Sequence, residues 1–525
     1  MRRGLGVLIT ALVTGTTSSA GADAPETYIP ERAEVVAVFE HPAKTLSRVE
    51  SFAIQSGLAP AGAAPGYLRA ELIRQQPWMA RLDLDAPIWF GIWSAAEQAV
   101  GVLVAELKEG QTVEGLESLL PQVRASSTGR RLVLRTPVLP ATYAQPSRRH
   151  FTFRSRSSKA VADKARVLVH VKIAALRRWA DIADQASGDV QLDPDDFEDF
   201  EAVTLGASLE AENLYIRLGT EVKPSTLSAE ALAMAVNRSA PLIRGLPRND
   251  YVVVLGSAQS GVSSDRLGSL LESMGARAAG ALASEDHPPK EWVSLVMRGM
   301  TELWSGTKRT SVGLAMTGTS HRPTLHMVSE GNAERLMSRV PRFQALVQEG
   351  LAGAADAEKS GERLRLRSVR QTRASTDFLG FALAFDAPPS SDPKVVRLLQ
   401  EPLLFGAVSE TKTVTLWNVS DSELDPLLDA ARKGKALTLP SLTRVSAQLP
   451  EQRTSETFVD TGQVGVFLAG LLSPALARTL APGFRDIPPI GLTSTKLGPR
   501  DMQWDMSFPT SAAQIAASLG ALARP

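Results

Sequence analysis

The sequence predicts an α+β protein built from two duplicated domains, each a mostly antiparallel sheet with helices on one face. Three observations support this fold class. Four segments of the first half recur in the same order in the second half. Each segment combines a strand pattern with a helix pattern or a hairpin pattern. The hairpins have turns of about four residues, and such short turns favour antiparallel pairing.

The first element of the chain is a predicted secretory signal peptide over residues 1–22. Arg2 and Arg3 form a charged start, residues 5–13 form a short apolar run, and Ala20-Gly21-Ala22 matches a small-residue cleavage site. The apolar run is much shorter than the roughly 20 residues that a membrane-spanning helix needs. We therefore expect cleavage after Ala22, no transmembrane span in the mature chain, and a periplasmic or secreted protein.

Composition excludes several classes of function. The chain has no cysteine, which rules out disulfides, thiolate metal sites and a lipid attached to an N-terminal cysteine. Its 57 basic and 56 acidic residues give a net charge of +1, with no long basic run, so a nucleic-acid partner is not expected. An envelope protein or a lipid is the expected kind of partner, without a cofactor or metal.

The first two repeated segments are a strand with its helix and a hairpin with its helix. A proline-started strand and a helix closed by glycine are predicted at 29–57 and again at 246–275. A hairpin, a Glu-Gly pair and a helix closed by proline are predicted at 88–121 and again at 312–341. The spacing between matched segments grows along the chain, as insertions into a duplicated domain would produce.

The last two repeated segments are a Ser-x-Ser helix start and a terminal hairpin. The helix starts follow Phe151-Thr-Phe153 and Leu416-Trp-Asn418. The hairpins alternate apolar and polar residues, which predicts that their apolar side chains form one buried sheet face: Leu214, Ile216, Leu218, Met502, Trp504 and Met506. The predicted domains are therefore 23–245 and 246–525, with a boundary near Arg244-Gly245.

This arrangement resembles a group of uncharacterised exported bacterial proteins of the DUF3352 type, a domain of unknown function. The stretches that carry the resemblance are Tyr28 to Val38 and Pro488-Pro489-Ile490-Gly491 before the last hairpin. The first matches the group's pattern only loosely in spacing. The resemblance spans most of the mature chain, but its motifs are apolar and structural. It implies the fold and export, and it implies no activity.

Two Ser-x-x-Lys motifs suggest a nucleophilic serine, namely Ser305 with Lys308 and Ser409 with Lys412. Penicillin-binding chemistry also requires Ser-Asp-Asn and Lys-Thr-Gly elements and a serine at a helix start. Both elements are missing from the sequence, and residues 411–416 have a strand pattern. We therefore expect neither serine to be catalytic.

Other polar groups also have a structural explanation. None of the six histidines (His41, His150, His170, His287, His321 and His326) has metal-site spacing. The acidic run 193–201 lacks the glycine-turned order of an EF-hand, so we interpret it as a solvated loop or helix start. The arginines between residues 129 and 156 either line an anion-binding patch or form the wet face of a half-buried sheet: Arg130, Arg131, Arg148, Arg149, Arg154 and Arg156.

The sequence favours a non-enzymatic exported protein that binds a partner or serves as a scaffold. The alternative is a periplasmic carrier or chaperone for an apolar ligand or lipoprotein, whose cavity would be lined by Trp78, Trp89 and Trp93, with Met79 beside them. A hydrolase assembled from distant residues is the third hypothesis. Core packing is the default for the tryptophans, and we expect it here, so a filled core would favour the binding protein.

Overall fold

A computed structural model describes most of the chain. The described residues are 24–56, 59, 63–95, 98–175, 197–210, 213–260, 299, 303, 306–317, 322–357, 365–384, 396–398, 400–472 and 487–514. The predicted signal peptide, Ser305, His287, His321 and Asp193 to Asp196 lie outside them.

The chain forms two compact units, which divide after Thr226 and again after Lys496. Unit 1 contains the chain before the first division and after the second, and unit 2 contains the residues between. The predicted boundary at 245/246 therefore differs from the observed one by residues 227–245, which belong to unit 2. There the backbone N–H groups of Leu242 and Ile243 donate to the Glu456 carboxylate. The C-terminal strand also lies outside its predicted domain, because it pairs within unit 1.

The elements of both units alternate strands with short helices. Up to Thr226 they are β1 (Val35–Phe39), α1 (Pro42–Gln55), α2 (Tyr67–Gln75), β2 (Ile88–Ala95), β3 (Gln98–Glu106), α3 (Leu116–Leu119), β4 (Arg124–Thr128), β5 (Arg131–Arg135), α4 (Arg156–Ala162), β6 (Val167–Lys172), β7 (Phe200–Glu210) and β8 (Asn213–Val222), with 3₁₀ turns at Pro25–Tyr28, Pro77–Arg81 and Ala141–Ala144. In unit 2 they are α5 (Leu227–Met234), β9 (Arg238–Ser239), β10 (Tyr251–Ala258), β11 (Arg309–Thr317), β12 (Arg322–Glu330), α6 (Ala333–Ala357), β13 (Arg365–Arg373), β14 (Thr376–Ala384), β15 (Leu403–Ser409), β16 (Lys412–Trp417), α7 (Asp421–Lys433), α8 (Pro440–Ser446), β17 (Gln452–Arg453), β18 (Ser455–Val459), α9 (Thr461–Leu472) and β19 (Ile490–Lys496). Strand β20 (Asp501–Pro509) returns to unit 1.

The described strands of unit 1 form one antiparallel sheet in the order β4-β5-β3-β2-β1-β6-β7-β8-β20. The main sheet of unit 2 is also antiparallel, in the order β13-β14-β15-β16-β12-β11-β10-β18-β19. In unit 1 the central strand β1 has the β2–β3 hairpin on one side and β6, which follows α4, on the other. In unit 2, β10 has the β11–β12 hairpin on one side and β18, which follows α7, α8 and β17, on the other. Mixed helix and antiparallel strand content agrees with the predicted α+β class.

Helices pack on both faces of each sheet, so the expectation of helices on one face is wrong. In unit 1 one core contains Val36, Trp89 and Trp93, and the opposite face carries a second core around Trp78 and Leu132. In unit 2 helices α7 and α8 cover the core around Phe458, and α6 covers a second core that contains Phe405. The physical reason is that strands such as β5 and β15 carry apolar residues on both faces, and both must be covered.

The helices that begin with Ser-x-Ser are capped as their sequences predict. Ser155 accepts a hydrogen bond from the Ser158 backbone N–H at 3.1 Å at the start of α4. Ser420 forms a capping box with Glu423 at the start of α7, and Gly434 closes that helix with a left-handed conformation. The buried face of α7 follows the helical period: Leu424, Leu427, Leu428 and Ala431.

The predicted buried face of the last strand is wrong. In β20 the polar side chains Gln503, Asp505 and Ser507 are buried, whereas Met502, Trp504 and Met506 are half-buried. Helix α4 packs against β7, β8 and β20, and polar partners compensate the buried groups. Arg217 Nε lies 3.3 Å from Asp505 Oδ1, and Gln503 donates to Asp505 at 2.7 Å. A two-residue period therefore identified the strand but assigned its faces incorrectly.

Candidate functional site

Unit 1 contains a half-open cleft with a volume of about 1040 Å³. Its walls come from three parts of unit 1: the chain before β1, the segment between β5 and α4, and the adjoining ends of β6, β7 and β8. Small-molecule sites are typically clefts of roughly 300–1,000 Å³. The cleft is therefore large enough to enclose a small ligand.

Two irregular segments form the first wall because they pair with each other outside the regular sheet. The backbone N–H of Phe151 donates to Ile29 O at 2.8 Å, and that of Ser147 donates to Thr27 O at 2.8 Å. Pro30 and His150 form an isolated antiparallel bridge next to the hydrogen bond of Phe151. Prolines at 137, 140 and 146 prevent a regular strand or helix across the second segment. The result is a rigidly anchored loop that presents its side chains to the cleft.

The basic side of the cleft carries four cations: Arg32, Arg149, Arg154 and Lys172. Arg154 forms a salt bridge with Glu31, and the Lys172 ammonium donates to the backbone Glu31 O at 3.2 Å. Within the described residues, Arg32, Arg149 and Lys172 make no salt bridge. Burial, followed by the charge of Arg154, lowers the pKa of Lys172. The carboxylates of Glu34 and Glu31 oppose that shift. Four cations with two carboxylates leave a net positive charge on this side.

The acidic side of the cleft carries Glu201 and Glu221. Both carboxylates share one guanidinium: Arg500 forms a salt bridge with Glu201, and its Nη2 lies 3.4 Å from Glu221 Oε1. Burial, followed by repulsion from Glu201, raises the pKa of Glu221. Two carboxylates with one cationic partner leave a net negative charge on this side.

Aromatic side chains complete the lining. Tyr28 and Phe151 are buried at its floor, and Tyr143 stacks on Trp93 with ring centroids 5.5 Å apart. The Arg32 guanidinium lies 5.5 Å from the Tyr143 ring and 5.4 Å from the Trp93 ring, and it also donates to the Tyr143 hydroxyl. These contacts fix Arg32 at the rim by cation–π attraction.

His170 is the histidine of the cleft. Its Nδ1 lies 2.8 Å from Thr204 Oγ1, and its ring packs against Phe151 and Phe153 with centroids 5.3 and 5.8 Å away. Burial, followed by the charge of Lys172, lowers the pKa of His170 to about 4. The ring is therefore neutral at pH 7 and is a hydrogen-bonding group rather than a charge.

The three tryptophans proposed as ligand-lining residues lie in the core. Trp89 and Trp93 belong to one core and Trp78, with Met79, to the other, and all three are less than a tenth exposed. The lining of the large cleft contains none of them. Trp93 approaches it only through its contact with Arg32 and Tyr143.

The arginine cluster divides between the two interpretations that the sequence left open. Arg149 and Arg154 line the cleft. Arg130 pairs with Asp83, Arg131 lies 3.3 Å from Glu106, and Arg156 donates to the backbone Leu497 O at 3.1 Å. These three arginines bind neighbouring segments to each other, so only part of the arginine cluster lines the cleft.

The remaining candidate groups lie elsewhere. Ser409 and Lys412 face each other across the β15–β16 hairpin, and Lys412 donates to the Arg432 backbone carbonyl at the end of α7 at 2.9 Å. His326 is buried in β12 beside Tyr251, and burial lowers its pKa to about 4. No three potential metal ligands come together among the described residues. No helix in the described part of the chain is long and apolar enough to cross a membrane.

Tyr28, Tyr143, Lys172 and Glu221 were not predicted as site residues. Lys172 and Glu221 lie at or near the ends of strands whose other residues are mostly apolar. Strand pairing brings them to the same face, because Lys172 pairs with Ala202 and Ala202 pairs with Glu221. This register cannot be deduced from a single sequence, and no short motif marks it.

Comparisons with known proteins give little similarity. No family model and no curated protein sequence matches the chain. Among solved structures, crystal forms IV, III and I of TP0453 are similar at 8%, 8% and 9% identity. They cover 39%, 42% and 41% of this chain and 82%, 91% and 88% of their own, with TM-scores of 0.23, 0.24 and 0.23. Similarity at this level supports no conclusion about function.

Proposed function

We propose that this chain is a non-enzymatic binding protein of the bacterial envelope, and that it holds a small polar ligand in the cleft of unit 1. The observation that carries the proposal is the cleft itself. The cleft has the volume of a ligand site and aromatic residues in its walls. Three of its cations form no salt bridge within the described residues. Concave sites with a few convergent polar groups are where proteins bind small ligands.

The chemistry of the lining favours binding over catalysis. General bases work best when their pKa lies near the working pH. The pKa of His170 is about 4, and its Nδ1 is occupied by Thr204. The Ser155 hydroxyl, a second candidate for chemistry, accepts the capping hydrogen bond of α4. Each of these polar groups therefore has a structural task.

The duplicated architecture is part of the proposal, since a repeated scaffold can carry different sites. Supporting it, Gly91 of β2 faces Val36 of β1, and Gly313 of β11 faces Val254 of β10. A Cβ atom on Gly91 would lie 2.8 Å from Ile29, and one on Gly313 would lie 3.2 Å from Leu246 and closer still to the Tyr251 ring. Ile29-Pro30 and Leu246-Pro247 are the matched starts of the two repeats.

The alternative function is a carrier of an apolar ligand or lipoprotein. One observation favours it: unit 2 has a second groove of about 460 Å³ whose lining includes Ile243, Leu442, Leu449 and Phe458. A lipid or an apolar protein segment is the ligand that such a surface would bind. Export through the signal peptide at 1–22 is common to both hypotheses.

Native mass spectrometry of the protein purified from its own cells tests the proposal. We expect a co-purifying polar small molecule, which Thr152→Trp displaces because Thr152 is an exposed lining residue of the cleft. Val138→Trp is the matched control, because Val138 is 62% exposed in the same unit and does not line the cleft. A bound lipid that both variants retain would contradict the proposal and favour the carrier.

A further inference from the structure

The two charged sides of the cleft are built on one row of paired residues. Lys172 in β6 pairs with Ala202 in β7, and Ala202 pairs with Glu221 in β8. Directly paired residues of an antiparallel sheet point to the same face. Lys172 and Glu221 therefore face the cleft together, two strand spacings apart, which is about 10 Å.

Each end of this row has an unbalanced charge of opposite sign. The charge of Arg154 acts on Lys172, Arg149 lines the same cleft, and the carboxylates near these cations are Glu31, which pairs with Arg154, and Glu34. Around Glu221 stands Glu201, with Arg500 as the shared cation. A bound anion would compensate the positive charge near Lys172, and a bound cation would compensate the negative charge near Glu221. A molecule with both charges compensates both ends of the row.

We propose that the ligand of the cleft is zwitterionic, with an anionic group held by Arg149 and Lys172 and a cationic group held by Glu221. This inference rests on the proposed binding function. The spacing of about 10 Å between the backbones of Lys172 and Glu221 sets the size of the ligand. An extended chain spans roughly 3.3–3.6 Å per residue, so a tripeptide with free termini places its ammonium and carboxylate about 10 Å apart. A short linear peptide fits the row.

The local pKa shifts agree with this assignment. The pKa of Lys172 is lowered by burial and by Arg154, and a bound carboxylate would oppose that shift. The pKa of Glu221 is raised by burial and by Glu201, and a bound ammonium would oppose that shift. Both ends of the row therefore gain from a ligand group of opposite charge.

Calorimetric titration of the full chain with trialanine, N-acetyl-trialanine and trialanine amide tests the inference. Charge-assisted hydrogen bonds discriminate by about tenfold or more. We expect trialanine to bind at least that much more tightly than either blocked peptide. Glu221→Gln should remove the advantage of the free amine, and Arg149→Gln should weaken the advantage of the free carboxylate.

Matched controls come from unit 1 and do not line the cleft. Glu210→Gln on β7 and Arg148→Gln next to Arg149 should leave trialanine affinity unchanged. Equal affinity for the blocked peptides, or no binding of trialanine at millimolar concentration, would overturn the zwitterion assignment. The proposed function would still stand if Thr152→Trp displaces a co-purifying molecule of another class, so the two proposals fail separately.

Discussion

The two units differ at the position that His170 occupies in unit 1. His170 pairs with Val36 of β1 and with Thr204. In unit 2, Phe458 pairs with Val254 of β10 and with Gly491. A polar residue that lines the cleft of unit 1 is thus matched by an apolar residue that belongs to a core and lines the groove of unit 2.

The segments that cover these positions differ as well. In unit 2, α8 places Val445 and Leu449 against Gly491, where a Cβ atom would lie 2.7 and 2.8 Å from them. In unit 1 the short connection from α4 to β6 contains no helix, and the irregular segment 136–155 forms the wall instead. Similar strand orders therefore support a mainly apolar groove in one unit and a larger, polar cleft in the other. Function of this kind resides in segments added to a scaffold rather than in the scaffold.

The largest effect is expected from the buried ion pair of unit 2. Arg453 and Glu456 are 1% and 0% exposed and lie 2.8 Å apart, and Glu456 also accepts two backbone N–H groups. Glu456→Ala leaves a buried cation unpaired, which costs about 3–5 kcal/mol. Urea denaturation should show this loss in the unit 2 transition.

The exposed salt bridge of the cleft provides the comparison for the stability loss expected from Glu456→Ala. Arg154 and Glu31 have side chains 73% and 45% exposed. Arg154→Met should change the free energy of unfolding by about 1 kcal/mol or less. Losses of similar size for Glu456→Ala and Arg154→Met would contradict the distinction between a buried ion pair in unit 2 and an exposed one in unit 1.

Acid should destabilise both units through their buried histidines. The pKa values of His170 and His326 are about 4 in the folded chain, against 6.5 for an ordinary histidine. The unfolded chain then binds more protons between pH 6.5 and 4, so stability is lost as the pH falls through that window. Each histidine should contribute about 3 kcal/mol of this loss.

The variant His170→Phe gives unit 1 the residue type of unit 2 at this position. Its unfolding free energy should fall by about 3 kcal/mol less than that of the parent between pH 7 and pH 4. His41→Gln at the surface is the control and should keep the parent profile, as followed by urea titrations at both pH values. An unchanged slope in His170→Phe would show that His170 is not buried as described.

Smaller effects are expected at the paired glycines. Gly91→Ala and Gly313→Ala place a Cβ atom against Ile29 and Tyr251, and overpacking of this kind costs about 1–3 kcal/mol. Ile29→Ala removes the Cγ2 atom that the new Cβ would meet at 2.8 Å, so the losses of Ile29→Ala and Gly91→Ala should be less than additive in a thermal unfolding assay. Full stability of either single variant would argue against the close approach that both units share.

The sequence predicted several of the strands and the antiparallel class because these follow from local patterns. It also predicted helices after the two Ser-x-Ser segments, and Ser155 and Ser420 cap those helices. The faces of β20 could not be predicted, because the buried Asp505 depends on Arg217, which comes from another strand, and on Gln503.

The cleft was predictable only in part, for a related reason. The arginine cluster drew attention to Arg149 and Arg154, which do line it. The tryptophans were predicted as ligand-lining candidates, and aromatic composition alone does not distinguish a core from a pocket. Lys172 and Glu221 come together through the register of three strands, which is a tertiary property.

Hydrogen–deuterium exchange of the full chain tests the central claim most directly, with and without the molecule recovered from the native protein. The cleft of unit 1 as the binding site predicts slower exchange in residues 27–32 and 141–155 when that molecule is added. The same molecule should leave residues 437–449, which border the groove of unit 2, unchanged. Protection confined to residues 437–449 would contradict the claim and place the site in unit 2.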